Sequence, residues 1–71
     1  MSVVNDNDSS RDSKYYFDKA NIFCLEGKYK EAIVYYNKAI ELDHNYSAAY
    51  YNRGSVKADL GEYEEAIKDY D

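Results

Sequence analysis

Seventy-one residues make one small domain at most, in which roughly 60% of the unfolded chain's surface can be buried and the core is thin. Apolar residues reach 45%, enough for a folded chain. Nine Lys and Arg against fourteen Asp and Glu leave a net charge of −5, which repels phosphate backbones and counts against nucleic-acid binding.

The first stretch, Met1 to Asp12, is polar and sets Arg11 against Asp6, Asp8 and Asp12. It has neither the basic run nor the apolar run of a secretory signal, so the expected location is cytoplasmic. Asn, Asp and Ser dominate residues 1–9, and residues 1–12 read as a disordered tail. Asn7-Asp8-Ser9 and Asn45-Tyr46-Ser47 fit the glycosylation acceptor pattern, but without an export signal neither is expected to be used. No apolar run approaches a membrane span, so no membrane association is expected.

From Ser13 onward the chain repeats itself. A shift of 34 residues pairs segment 13–37 with segment 47–71, and eight of the 25 pairs are identical, where chance gives roughly one or two. The identities are Ser13/Ser47, Tyr16/Tyr50, Gly27/Gly61, Tyr29/Tyr63, Glu31/Glu65, Ala32/Ala66, Ile33/Ile67 and Tyr36/Tyr70. Lys19/Arg53, Ala20/Gly54, Ile22/Val56 and Cys24/Ala58 keep charge or size.

Each copy reads as two helices. With no proline in the chain, the glycines are the main breaks. The first helix is predicted over 12–26, with Tyr16, Ala20 and Phe23 on one stripe. The second, over 29–42, places Tyr29, Ala32, Ile33, Tyr36, Ala39 and Ile40 at the spacing of one buried face. Gly27 and Gly61 suit the left-handed residue that closes a helix. Asp43 or Asn45 is the expected cap of a third helix over 46–60, and a fourth runs over 62–71. Small residues at 20, 32, 39, 54 and 66 let the axes approach closely. The expected core adds Tyr50, Val56, Tyr63, Ala66 and Ile67. Tyr15, Tyr35, Tyr46 and Tyr51 lie outside the repeat framework and are candidates for a surface.

The residues offer little for catalysis. One His and one Cys cannot build a metal site, so no metal and no cofactor are expected. His44 reads as a helix-boundary residue and Cys24 as a small packing residue. The glycines are isolated, unlike a phosphate loop. Glu62, Glu64 and Glu65 could pass for an acidic catalytic cluster, but negative charge in the first turn of a helix complements its dipole, and Glu64 can pair with Lys68. The chain is expected not to be an enzyme.

The 34-residue period, the aromatics at 16 and 50, the small residues at 20 and 54, and Gly-x-Tyr-x-x-Ala-Ile at 27–33 and 61–67 together resemble a tetratricopeptide (TPR) repeat. The resemblance covers residues 13–71 and implies an all-α solenoid fragment of two antiparallel helix–turn–helix units, repeat 1 over 13–46 and repeat 2 over 47–71. It departs from the pattern at His44, where the family usually has proline, at Tyr16 and Tyr50, which replace tryptophan, and at Lys57, a place more often aromatic. Asp71 falls inside the last helix, so repeat 2 reads as truncated.

By resemblance, the first helix of each repeat lines a concave face. Its peptide-binding positions would be Lys14, Phe17, Asn21, Cys24 and Leu25 in copy one. In copy two they would be Ala48, Tyr51, Asn52, Ser55, Ala58 and Asp59. Aromatic walls suit an apolar side chain, and the amides of Asn21 and Asn52 suit a peptide backbone. One subset of the family uses asparagines at those two places to hold a terminal carboxylate, but it has lysine where this chain has Phe17, and it draws on a third repeat. The implied function is a protein-interaction module for a partner peptide or protein. The alternative is a structural element of a longer scaffold, self-associating through the end of repeat 2.

Overall fold

The computed structural model describes residues 11–70. Within them the chain is all-α: α1 spans Ser13–Leu25, α2 Tyr29–Leu42, α3 Ser47–Asp59 and α4 Tyr63–Tyr70. The loose segment expected over 1–9 and the last residue of the expected fourth helix lie outside the described residues. The links, 26–28, 43–46 and 60–62, are short enough to force consecutive helices antiparallel.

Local chemistry sets the ends. The Asp12 carboxylate accepts the Tyr15 backbone N–H at 3.0 Å and caps α1. Gly27 and Gly61 have φ of 77° and 87°. At each, two backbone bonds close the preceding helix: Lys28 N–H to Phe23 O at 2.8 Å with Gly27 N–H to Cys24 O at 3.0 Å, and Glu62 N–H to Lys57 O at 2.7 Å with Gly61 N–H to Ala58 O at 2.9 Å. The start of α3 differs from expectation. Asp43 Oδ1 turns to the Asn45 N–H at 3.0 Å, a local bond that competes with capping. Tyr46 therefore stands at the cap position without a side-chain bond.

A core of Ala20, Ala32, Tyr36, Ala39, Ile40, Ala49 and Val56 runs through α1, α2 and α3, with Tyr16, Phe23, Tyr29, Ile33 and Tyr50 half-buried against it. The small residues at 20, 32, 39, 54 and 66 are all buried. At Gly54 the reason is close approach: a Cβ there would lie 2.9 Å from Tyr70 Cε1, 3.0 Å from Asp69 Cβ and 3.1 Å from Ala66 O. Two expected core residues are not in it. Tyr63 is 66% and Ile67 58% exposed, although their counterparts Tyr29 and Ile33 are half-buried. Helical spacing puts them on one stripe, but no helix among the described residues lies over that stripe of α4. Tyr35 and Tyr46, expected at the surface, instead pack against the core.

The two copies brace the same spot with different chemistry. In copy one Tyr35 lies 5.9 Å from Tyr16 and 5.0 Å from Phe23, ring to ring, and Lys19 sits 6.0 Å over Phe23. In copy two the matching positions hold Asp69, Tyr50, Lys57 and Arg53. Arg53 donates to both oxygens of Asp69, Nε at 2.8 Å and Nη2 at 2.7 Å. Its Nη1 donates to Asn37 of α2 at 2.6 Å, and Lys57 Nζ stands 3.3 Å from Asp69. The lysine that departs from the repeat pattern at 57 is thus half of an ion pair. Burial disfavours charge on Asp69, but hydrogen bonds and charge from Arg53 and Lys57 outweigh it and hold its carboxyl below the usual range. The exposed pairing expected between Glu64 and Lys68 falls instead on Glu65, at 3.7 Å.

Candidate binding groove

Two shallow hollows meet at Asn52. The first, of about 400 Å³ between α1 and α3, is lined by Asn21, Cys24, Leu25, Asn52, Ser55 and Asp59, with Tyr29, Tyr36 and Val56. The second, of about 610 Å³ between α3 and the end of α4, is lined by Ala48, Tyr51 and Asn52, with Ser47, Tyr50 and Lys68 to Tyr70. Six residues expected on the concave face therefore share one hollow, and two more join Asn52 in the other.

Lys14 and Phe17 line neither hollow. Phe17 stacks on Tyr46 at 4.9 Å and Tyr36 at 6.0 Å, which makes it part of the wall joining α1 to α2 and the turn before α3. Lys14 Nζ is held 2.7 Å from Asp18 Oδ2. Ala58 is half-buried outside both hollows.

The floor of the first hollow is a hydrogen-bonded cluster. Asn21 Oδ1 accepts from the Tyr36 hydroxyl and from Asn52 Nδ2, the latter at 3.1 Å. Cys24 Sγ lies 3.5 Å from the same hydroxyl. Burial pushes the Tyr36 hydroxyl well above the usual phenol range, and the thiol contact adds to that shift. With Asn21 Oδ1 occupied, Asn21 Nδ2 and Asn52 Oδ1 have no partner among the described residues. One offers a donor and the other an acceptor, the pair that a peptide C=O and N–H require.

Tyr29 and Tyr36, core residues by their spacing, also line the first hollow, and Tyr70 lines the second. Tyr70 is 46% exposed, its ring 5.3 Å from Tyr51. Their signal was present in the sequence: a helix between two neighbours contributes its stripe both to packing and to the rim of the crevice. No helix among the described residues is long and apolar enough to cross a membrane.

Comparison with known proteins agrees with this geometry. A family model described as a TPR repeat matches residues 20–61, more than half of the chain. DnaJ homolog subfamily C member 7 of Mus musculus is 31% identical over 67 residues, 94% of this chain and 14% of that protein. Small glutamine-rich tetratricopeptide repeat-containing protein beta of Homo sapiens is 42% identical over 52 residues, 73% of this chain and 17% of its own length. An uncharacterised protein of Methanocaldococcus jannaschii is 39% identical over 54 residues, 76% of this chain and 63% of that protein. The chain thus spans a small part of the first two relatives and just under two thirds of the third. The repeat period, the paired antiparallel helices and the family match place this chain in the tetratricopeptide repeat family.

Proposed function

We propose that the chain is a protein-interaction module, not an enzyme, and that the crevice along α1 and α3 receives an extended peptide segment of a partner protein. Tetratricopeptide repeats generally serve protein–protein interaction. The observation that carries the reading here is the Asn21–Asn52 pair. Its internal bond leaves one donor and one acceptor on two residues that line a hollow with Leu25, Tyr29 and Val56, which suits main-chain pairing beside an apolar side chain. The partner meets repeat 1 (13–46) and repeat 2 (47–71) together, with Lys14 and Phe17 at the far end of the face, and the expected setting is the cytoplasm.

Selection of peptides from a random display library on the 71-residue chain tests this. Selected peptides should lose about tenfold or more in affinity with Tyr51→Ala or Ser55→Arg, a hot-spot-sized effect. They should be indifferent to Lys38→Ala on the exposed face of α2. Equal loss in all three variants, or in none, counts against the reading.

The exposed stripe of Tyr63 and Ile67 favours a second reading: a structural element that associates through α4, as part of a longer scaffold or with another copy.

A further inference from the structure

The hollow between α1 and α3 has a single charged side chain in its lining, Asp59, and that carboxylate has no ion-pair partner among the described residues. Resting on the groove reading above, we infer that the segment received there is internal and joins an aliphatic side chain to a Lys or Arg, and is not a chain end with a free carboxylate.

Three observations support this. Asp59 is the last residue of α3, where the helix dipole is already negative and a carboxylate is locally unfavourable. The basic residue of that last turn, Lys57, gives its charge to Asp69 at 3.3 Å. A cation from the partner would offset both negative fields.

The walls supply the second. Leu25 is 88% exposed at the end of α1 and shares the hollow with Asp59, Tyr29 and Val56, so an apolar contact lies beside the charge. Long basic side chains use such a surface well, since their stems cover apolar area while the head stays near the carboxylate.

The third is the lack of a cation in the lining to receive an anion. The cations around the crevice already have partners: Lys14 with Asp18 at 2.7 Å, Arg53 and Lys57 with Asp69, Lys28 with Glu26 at 3.7 Å and Lys68 with Glu65 at 3.7 Å. A carboxylate placed on Asn21 and Asn52 would find no cation in the lining, and Asp59, seven residues along α3 from Asn52, adds a repulsive field that disfavours acidic ligands.

Fluorescence anisotropy with the 71-residue chain tests the assignment, using three labelled octapeptides. Two have both ends blocked and differ only in Leu-Lys against Leu-Glu at the centre; the third has a neutral Leu-Gln centre and a free carboxylate terminus. The Leu-Lys peptide should bind about threefold or more tightly than either other, the size of one exposed ion pair, and the gap should narrow as salt rises. Asp59→Lys should reverse the order of the first two, and circular dichroism should show it still folded, since Asp59 is exposed. Binding of all three peptides with equal affinity, a preference for either anionic one, or an order unmoved by Asp59→Lys would overturn the inference and leave the groove reading intact. Failure of every peptide to bind a folded chain would overturn both.

Discussion

The hydroxyl of Tyr36 donates to Asn21 Oδ1 across the gap between α2 and α1. The bond recurs in the next copy, where Tyr70 Oη lies 3.4 Å from Ser55 Oγ, with both residues displaced by one repeat. Tyr36 is 1% exposed because α3 covers it, and Tyr70 is 46% exposed. Tyr36→Phe should therefore cost about 0.5–1.5 kcal/mol, an ordinary buried hydrogen bond, and Tyr70→Phe close to nothing. Urea melts of the two variants measure the difference.

The same tyrosine gives an alkaline prediction. Its folded pKa is raised above the ordinary 10.0, so its contribution to stability is complete below that pH. Above it the unfolded chain releases the proton first, and stability falls as pH climbs toward the folded value. The parent's melting temperature should drop above pH 10, and Tyr36→Phe should lessen the slope there.

Asp69 titrates the other way. Its folded pKa lies below the ordinary 3.8, so its stabilisation is present above that pH and is lost as pH falls through the folded value. Asp69→Asn strands Arg53 and Lys57 and should cost an amount near the lower end of the about 3–5 kcal/mol seen for broken buried pairs, since Arg53 keeps its bond to Asn37. The variant should also lose part of the parent's acid sensitivity, which melts between pH 2 and 5 would reveal.

How much of this was legible follows from what local pattern can encode. The helices, the glycine-closed ends and the small-residue contacts were readable because spacing and backbone freedom decide them. Ala49 and Asp69, both buried, were not anticipated. Ala49 is covered by packing on a neighbouring helix, and Asp69 by partners 16 and 12 residues away, Arg53 and Lys57. Tyr63 and Ile67 failed the other way, since a stripe identifies a face but not what covers it. In the groove, Asn21 and Asn52 were legible as residues, but their mutual bond, which determines the atoms left for a ligand, depended on α1 and α3 meeting.

Gly54 tests the close approach of α3 and α4. In Gly54→Ala, Tyr70 can swing aside, but Ala66 O is backbone at 3.1 Å, so α4 must shift. Overpacking of about 1–3 kcal/mol should exceed the gain of about 0.5–1 kcal/mol from alanine's helix preference. A lower melting temperature is expected.

The open stripe of α4 should make the chain associate weakly as concentration rises. Sedimentation of the parent beside Tyr63→Ser with Ile67→Ser should show the association lost in the double variant. Both side chains are more than half exposed, so its stability should change little.

Amide-proton NMR during titration with a library-selected peptide tests whether the crevice between α1 and α3 is the binding face. Shifts should concentrate at Asn21, Leu25, Asn52, Ser55 and Asp59, with the exposed face of α2 around Lys30 and Lys38 unmoved. Shifts confined to α4, or centred on that face of α2, would contradict it.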